Sequence, residues 1–215
     1  MRIGAQIIIM QGLFPTNQTE LTYHTPRQLL MAVMLSAQST DKHVNSVTKT
    51  AFNTIKNPND VTTLWLDNLK KMLQSINFFH TKSLHIYKTA QILIDPHTIW
   101  HQYDGYVMPT TLAWLTTLPW VGTKTAKVVL SELYGDRHIA VDTHIHRVAN
   151  RLWRVSTQTA LQTWKIIETV IPKKYHHIAH HSILLFGRYV CMARNPACDT
   201  CPLQKSCPYP HKKLT

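Results

Sequence analysis

Residues 118–126 read Leu-Pro-Trp-Val-Gly-Thr-Lys-Thr-Ala, and this stretch does most to decide the fold. A tight turn ending at Gly122 is predicted to lead directly into a helix over 123–134. The first turn of a helix offers unpaired backbone N–H groups and the positive end of the helix dipole. The stretch is therefore predicted to bind a phosphate of a nucleic-acid backbone without reading base sequence.

Lys124 lies in that first helical turn. The helix dipole disfavours an ammonium group there and favours a neutral, nucleophilic amine. A cation stabilises the opposite end of a helix, so a lysine at this position needs another reason. From position alone, binding a phosphate and acting as a nucleophile are equally good interpretations of Lys124.

The rest of the chain shows helical hydrophobic periodicity almost throughout. A helix is predicted from Pro26 to Ala37, since Thr25 precedes it and its apolar residues share one face. Residues 5–10 are predicted to be a helix or a core segment. Further helices are predicted over 42–56, 60–74, 81–94, 109–117, 143–154, 159–171 and 175–190. No strand-like alternation of any length is present, so the sequence predicts an all-α protein.

Two breaks interrupt the helical pattern. The segment from Asp95 to Pro109 is predicted to be the longest irregular connection, because it contains two prolines and a glycine. Residues 135–137 form the second break, and they are predicted to be a hinge between two lobes.

The charge of the chain indicates a polyanionic partner. It has 23 Lys and Arg against 11 Asp and Glu, a formal net charge of +12. Nucleic acid is the usual partner of such a protein, although a basic bias shared across an organism's proteins is an alternative. No apolar run approaches the ~20 residues of a membrane span, and nothing resembles a signal peptide. A cytoplasmic protein without a membrane partner is expected.

All four cysteines of the chain lie close to its C-terminus, as Cys191-x6-Cys198-x2-Cys201-x5-Cys207. Their thiolates could hold a structural zinc ion or an iron–sulfur cluster. Disulfides are less expected, because a chain of this length can bury a core without them. Structural zinc sites usually show two close pairs, and only Cys198 and Cys201 form such a pair. The spacing therefore favours an iron–sulfur cluster over zinc.

A third motif, Val-Asp-Thr-His at 141–144, precedes the helix predicted over 143–154. Asp142 is a natural N-cap for that helix. Most aspartates at such a position only cap a helix, so Asp142 has no functional interpretation from its own position.

Taken in order, the hairpin, the Val-Asp-Thr-His motif and the cysteine loop resemble the endonuclease III family, helix-hairpin-helix DNA glycosylases with an iron–sulfur loop. The resemblance runs from about Glu20 to Tyr209, and residues 35–41 look like the loop with which the family inserts a glutamine into DNA. It implies a two-lobed, all-α fold with the active cleft between the lobes. Residues 20–135 would form a six-helix domain containing the helix-hairpin-helix, and residues 1–19 plus 136–215 the iron–sulfur cluster domain.

The resemblance implies a base-excision-repair DNA glycosylase with abasic-site lyase activity. Lys124 would attack the sugar C1′ of a damaged nucleotide, expel the base and form an imine that permits β-elimination of the 3′ phosphate. Asp142, ionised at its helix N-terminus, would accept a proton from Lys124 and stabilise positive charge on the sugar. With a lysine at this position, the chain resembles the bifunctional branch of the family. The substrates of that branch are oxidised or ring-saturated pyrimidines.

The resemblance also implies a cofactor and a set of DNA contacts. Cys191, Cys198, Cys201 and Cys207 would hold a 4Fe–4S cluster that shapes a basic DNA-binding loop. Gln38 would fill the gap left by the flipped nucleotide, and Phe78 would stand where the family more often has a leucine wedge. Plainer interpretations are a loop residue for Gln38 and a core residue for Phe78. The further expected DNA contacts are Trp120, Gly122, Thr123, His144, Arg194 and Lys205.

The partner implied is double-stranded DNA containing damaged pyrimidines or abasic sites, bound by a monomer at the bacterial nucleoid.

One departure from the family's usual sequence raises an alternative function. Trp120 replaces the first glycine that the family usually has in the hairpin. If that residue needs φ > 0, tryptophan costs ~1–3 kcal/mol. The alternative is a catalytically impaired DNA-binding iron–sulfur protein, and a zinc-bound regulator is a third option.

No metal site is expected among the histidines near the C-terminus, because no carboxylate or thiolate stands near them in sequence. These histidines are His176, His177, His180 and His181.

Overall fold

The computed structural model describes residues 1–15, 18–95, 101–103, 106–135 and 139–212. These residues are mostly helical, which confirms the all-α prediction. The helices are α1 (Ile3–Leu13), α2 (Pro26–Ser36), α3 (Asp41–Thr54), α4 (Pro58–Thr63), α5 (Trp65–Met72), α6 (Phe79–Ile94), α7 (Leu112–Leu115), α8 (Thr123–Tyr134), α9 (Thr143–Trp153), α10 (Ala160–Val170) and α11 (His176–Tyr189). Two 3-10 turns lie at Lys173–Tyr175, between α10 and α11, and at Gln204–Ser206, after α11. No helix among these residues is long and apolar enough to cross a membrane.

The segment from Asp95 to Pro109 contains a short hairpin where an irregular connection is predicted. Strands β1 (His101–Tyr103) and β2 (Tyr106–Met108) pair antiparallel, with His101 opposite Met108. Three-residue strands are too short to show a period of two in the sequence. Residues 96–100 and 104–105 lie outside the described residues, as do residues 136 and 137 of the predicted hinge.

One predicted helix is divided in two. A single helix is predicted over 60–74, whereas α4 ends at Thr63 and α5 begins at Trp65. A capping box between Asn57 and Asp60 begins the first helix early, at Pro58. Trp65 then has a φ of +60°, a left-handed conformation that a continuous α-helix cannot contain. The amphipathic period carries no sign of this interruption.

Side-chain caps mark where several of the other helices begin. Thr25 accepts a hydrogen bond from the Gln28 backbone N–H at 3.2 Å, and Pro26 occupies the first position of α2. Thr40 caps α3 in the same way. At α10, Thr159 and Gln162 form a reciprocal capping box. These side chains satisfy N–H groups that a helix start leaves unpaired.

The chain divides into two compact units, Thr19–Tyr134 and Met1–Gln18 with Gly135–Thr215. In the first unit α2 is buried from Arg27 to Leu35, and α3, α6 and α8 contact it. In the second unit α11 packs against both α1 and α9, and its core includes Ile7, Ile145 and Ile183, all fully buried. Each unit therefore has its own hydrophobic core.

Gly4 allows α1 to lie directly against Tyr175. A Cβ atom at residue 4 would stand 2.1 Å from Cε2 of the Tyr175 ring. We expect Gly4→Ala to lower the free energy of unfolding by about 1–3 kcal/mol, because the ring has to move. Gly12→Ala is the matched control on the same helix, since nothing lies within 4 Å of its Cβ position. That control should stabilise by about 0.5–1 kcal/mol in denaturant unfolding, and equal effects of the two variants would contradict the steric argument.

Candidate active site and cysteine pocket

The turn between α7 and α8 presents the start of α8 to solvent. Leu118 and Val121 are buried, and the Val121 N–H donates to the Leu118 carbonyl at 3.1 Å. Gly122, Thr123 and Lys124 follow, all exposed. A Cβ at Gly122 would meet nothing within 4 Å, so the space before the helix is open. The predicted turn and the helix beginning at Thr123 are confirmed, and the arrangement can accept an anion at the helix N-terminus.

Trp120 adopts the left-handed conformation in this turn. Its φ is +65°, which satisfies the condition under which tryptophan is expected to cost ~1–3 kcal/mol there. Its indole is half exposed and stacks on the His85 imidazole, with ring centroids 5.0 Å apart and an interplanar angle of 29°. Burial and the neighbouring Lys88 lower the pKa of His85. The stack holds the indole against α6 while one part of it faces solvent.

Asp142 caps α9 and uses both carboxylate oxygens. Its Oδ1 accepts from the backbone N–H groups of His144 and Ile145, each at 2.9 Å. Its Oδ2 lies 3.0 Å from His144 Nδ1. The side chain is 11% exposed, so its charge is partly shielded from water yet reachable. Two N–H donors and the positive end of α9 favour the ionised carboxylate.

The four cysteines line one pocket in the C-terminal unit, together with Arg151, Phe186 and Leu203. None of the four forms a disulfide. Short turns bring them together, and one of these is closed by the Cys201 N–H donating to the Cys198 carbonyl at 3.3 Å. Among the described residues, no group of three or more His, Cys, Asp or Glu side chains is arranged to hold a single metal ion.

The charge around the pocket suits an anionic group. Burial raises the pKa of the Cys191 thiol, and a hydrogen bond from Arg151 opposes that rise. Burial also raises the pKa of Cys201, and the other three sulfurs raise it further by their proximity. A bound metal centre deprotonates its thiol ligands outright, so these shifts belong to the free thiols. Four converging thiols beside an arginine fit an iron–sulfur cluster, which has a net negative charge with four thiolate ligands.

Two arginines of α9 hold the start of the cysteine loop, and their individual roles were not predicted from the sequence. Arg147 donates to the carbonyls of Gly187 at 2.6 Å and Cys191 at 2.9 Å. Arg151 donates to the Met192 carbonyl at 2.7 Å and lies 3.6 Å from Cys191 Sγ. Their four-residue spacing places them on one helical face, which was the available signal.

Gln38 and Phe78 are both exposed and both left-handed, with φ of +57° and +60°. They belong to two loops that meet, since the Asn77 side-chain amide donates to the Gln38 carbonyl at 2.7 Å. Phe78 is 62% exposed, so it is not a core residue, whereas Phe79 packs against the core. Non-glycine residues with positive φ are uncommon and concentrate at functional sites.

The remaining predicted residues lie as follows. His144 is half-buried beside Asp142, while Arg194 and Lys205 are exposed on the cysteine loop. The ring of His176 lies 2.9 Å, at Nε2, from the Ile171 carbonyl inside its unit. The rings of His180 and His181 contact each other edge to face, with centroids 4.8 Å apart. These three histidines are buried in α11 and pack within the unit.

Comparison with known proteins shows the family. Residues 31–173 match the HhH-GPD superfamily of base excision DNA repair proteins, and residues 191–207 match the iron–sulfur binding domain of endonuclease III. The chain is 39% identical over 198 residues to endonuclease III of Haemophilus influenzae, covering 92% of this chain and 90% of that protein. It is 41% identical over 195 residues to endonuclease III of Rickettsia conorii, covering 91% and 90%.

Solved structures agree with these sequence matches. The fold matches a trapped endonuclease III–DNA covalent intermediate with a TM-score of 0.85 and 39% identity, over 96% of this chain and 94% of that chain. A thermostable thymine-DNA glycosylase matches with a TM-score of 0.80 over 95% and 93%, and at 20% identity it shows the shared fold. The chain therefore belongs to the HhH-GPD superfamily of base excision DNA repair proteins and, within it, to the endonuclease III family.

Proposed function

We propose that this protein is a base-excision-repair DNA glycosylase and abasic-site lyase that removes oxidised or ring-saturated pyrimidines from duplex DNA. The observation that carries the proposal is Lys124, an exposed amine in the first turn of the hairpin helix α8. A lysine amine can attack a sugar carbon and form an imine with it. The match to a trapped covalent intermediate of an endonuclease III supports a covalent route.

In the proposed mechanism, Lys124 Nζ forms a bond to C1′ and the bond from C1′ to the base breaks. The base leaves with the electron pair and takes up a proton. The sugar ring then opens as Lys124 forms an imine with C1′. Loss of a proton from C2′ expels the 3′ phosphate, and water releases the lysine. Asp142 accepts the proton that the Lys124 nitrogen loses during the attack. It also stabilises the positive charge that develops on the sugar.

DNA binding is proposed to be shared among several exposed groups. The backbone at Gly122 and Thr123 would bind a phosphate, while Trp120 lies beside that position with half of its indole exposed. His144, Arg194 and Lys205 are proposed as further contacts to the DNA backbone. The net charge of +12 supports a polyanionic partner.

Base extrusion needs groups that occupy the vacated space. We propose that Gln38 fills the gap left by the flipped nucleotide. Phe78 would stack on the orphaned partner base, an interaction worth ~1–3 kcal/mol where it forms. The exposure of both side chains supports these roles.

The cofactor is proposed to be a 4Fe–4S cluster held by Cys191, Cys198, Cys201 and Cys207. The 6-2-5 spacing and the single pocket lined by all four thiols support this type. Residues 20–135 are proposed to be the six-helix domain, and 1–19 with 136–215 the cluster domain. We place the protein, as a monomer, at the DNA of the bacterial cytoplasm.

A second candidate function is DNA binding without turnover. Trp120 favours it, since a bulky left-handed residue stands directly before the proposed phosphate site. Such a protein would keep salt-dependent affinity for duplex DNA and an intact cluster.

Borohydride trapping on a duplex with one thymine glycol tests the proposal. We expect a covalent protein–DNA band, because borohydride reduces the imine of Lys124 to a stable amine. The same preparation is expected to contain about four iron and four sulfide per chain, by chemical analysis. If neither this duplex nor an abasic duplex traps a protein that contains its cluster, the second function is correct. Trp120→Gly then tests whether the indole is the cause.

A further inference from the structure

Lys82 is a buried lysine in α6 that lies in none of the recognised motifs. It is 2% exposed and is among the largest fully buried side chains. A buried ammonium is unfavourable unless hydrogen bonds replace its hydration. Burial lowers the pKa of Lys82, and its ammonium donates to two backbone carbonyls and a hydroxyl. A group this unfavourable to bury needs a specific reason to be there.

The ammonium binds the loop that carries Gln38. Its Nζ donates to the carbonyls of Leu35 at 2.7 Å and Ala37 at 2.6 Å, and more weakly to Ser39 Oγ at 3.4 Å. These three acceptors flank Gln38 on both sides. Gln38 is left-handed, and such a conformation persists only where surrounding contacts impose it. Lys82 supplies contacts of that kind from inside the unit.

Lys82 is also linked to the loop that carries Phe78. Its backbone N–H donates to the Phe78 carbonyl at 3.0 Å, within the first turn of α6. Asn77, immediately before Phe78, donates to the Gln38 carbonyl at 2.7 Å. The loop of Gln38 and the loop of Phe78 are therefore both connected to one short stretch of chain, residues 77–82. Charge-assisted hydrogen bonds are stronger than neutral ones, so the Lys82 contacts set the loop more firmly than Asn77 does.

We infer that Lys82 is a positioning residue whose buried ammonium holds the Gln38 loop in the conformation that enters damaged DNA. The inference rests on the proposed function, in which Gln38 fills the gap beside a flipped nucleotide. A purely structural Lys82 would stabilise the unit without favouring damaged over undamaged DNA. The two roles differ in what happens when Gln38 is absent.

The test compares Lys82→Met with wild-type protein containing its cluster. The probes are a duplex with one tetrahydrofuran abasic analogue and the matching undamaged duplex, each measured by fluorescence anisotropy. Met keeps the length of the side chain and removes its donors. We expect binding to the abasic analogue to weaken about tenfold to a hundredfold, since a small misplacement of a contacting group has effects of this size. Affinity for undamaged duplex should stay unchanged, and an equal loss on both duplexes would overturn the inference.

A double-mutant cycle with Gln38→Ala makes the test specific. If Lys82 acts through Gln38, adding Lys82→Met to Gln38→Ala should weaken binding of the abasic analogue no further. Additive losses would show a separate, structural role and would overturn the inference. If Gln38→Ala alone changes nothing while Lys82→Met does, the inference is also wrong. That result leaves the glycosylase proposal standing, because imine trapping is measured independently of Gln38.

Ser39→Ala keeps the test decisive if Lys82→Met does not fold. It removes the Ser39 hydroxyl, which accepts from the ammonium at 3.4 Å, and leaves Lys82 in place. We expect a smaller loss in the same direction, specific to the abasic analogue and absent in the Gln38→Ala background. A Ser39→Ala loss that persists in that background would contradict the positioning role.

Discussion

Lys124→Gln is expected to abolish imine trapping and base excision while the protein still binds lesion-containing duplex. An amide nitrogen shares its lone pair with the carbonyl and cannot attack C1′, whereas its length and hydrogen-bonding capacity remain close to those of lysine. The rate of excision should fall on the order of 10⁴-fold or more, as is typical when a covalent nucleophile is removed. Single-turnover excision and borohydride trapping on the thymine glycol duplex measure the loss.

The control for this variant is Lys71→Gln. Lys71 is exposed on α5, outside the hairpin, so the substitution removes the same positive charge without touching the proposed nucleophile. Both residues are on the surface, and substitutions there usually change stability by less than about 0.5 kcal/mol. Trapping should be normal in Lys71→Gln. A Lys124→Gln protein that still forms the covalent band would rule out Lys124 as the nucleophile.

Asp142→Asn is expected to reduce excision by about 10²–10⁴-fold with the fold intact, the range typical of a lost proton acceptor or electrostatic stabiliser. Asparagine can still cap α9 through one oxygen, so the helix start survives. The substitution removes the negative charge and places an amide opposite His144 Nδ1, where Oδ2 now lies at 3.0 Å. Single-turnover excision measures the rate, and thermal unfolding checks the fold.

Asp60→Asn provides the comparison for Asp142→Asn. Asp60 also belongs to a helix start, and its carboxylate accepts from the backbone N–H groups of Lys56 and Asn57. Losing that carboxylate should affect stability and leave excision unchanged. If Asp142→Asn excises bases at the wild-type rate, then the carboxylate is only a helix cap, the plainer interpretation of its position.

Much of the fold could be predicted from the sequence because helix starts are local. Thr25 with Pro26, Thr40 and Asp142 each mark a boundary within the first turn of a helix, and α2, α3 and α9 begin there. The failure over 60–74 has the opposite cause. A hydrophobic period describes a face of a helix, and it does not register the single left-handed residue Trp65 that divides α4 from α5.

The residues of the proposed site also fall into two groups, those that the local sequence indicates and those that depend on tertiary packing. The turn at Trp120, the amine of Lys124 and the cysteine spacing are properties of contiguous residues, so the sequence alone was enough to single them out. Trp120 was predicted to be strained if left-handed, and its φ is +65°. The stacking of its indole on His85 joins residues 35 positions apart, and no pattern in the chain indicates it.

Lys82 and the two arginines of α9 show what only tertiary structure decides. In the sequence each is a basic residue on an amphipathic helix, and such residues are usually solvated. Lys82 is buried and the two arginines are half-buried. A cation removed from water must find acceptors, and these lie about 40 or more residues away, at Leu35 and Ala37 for Lys82 and at Cys191 for Arg147. By itself the sequence determined most of the helices and singled out Lys124 and the four cysteines as candidates, since those signals depend on neighbours along the chain. The packed structure decided which cations are buried and which exposed loops they hold, because burial depends on residues brought together only by folding.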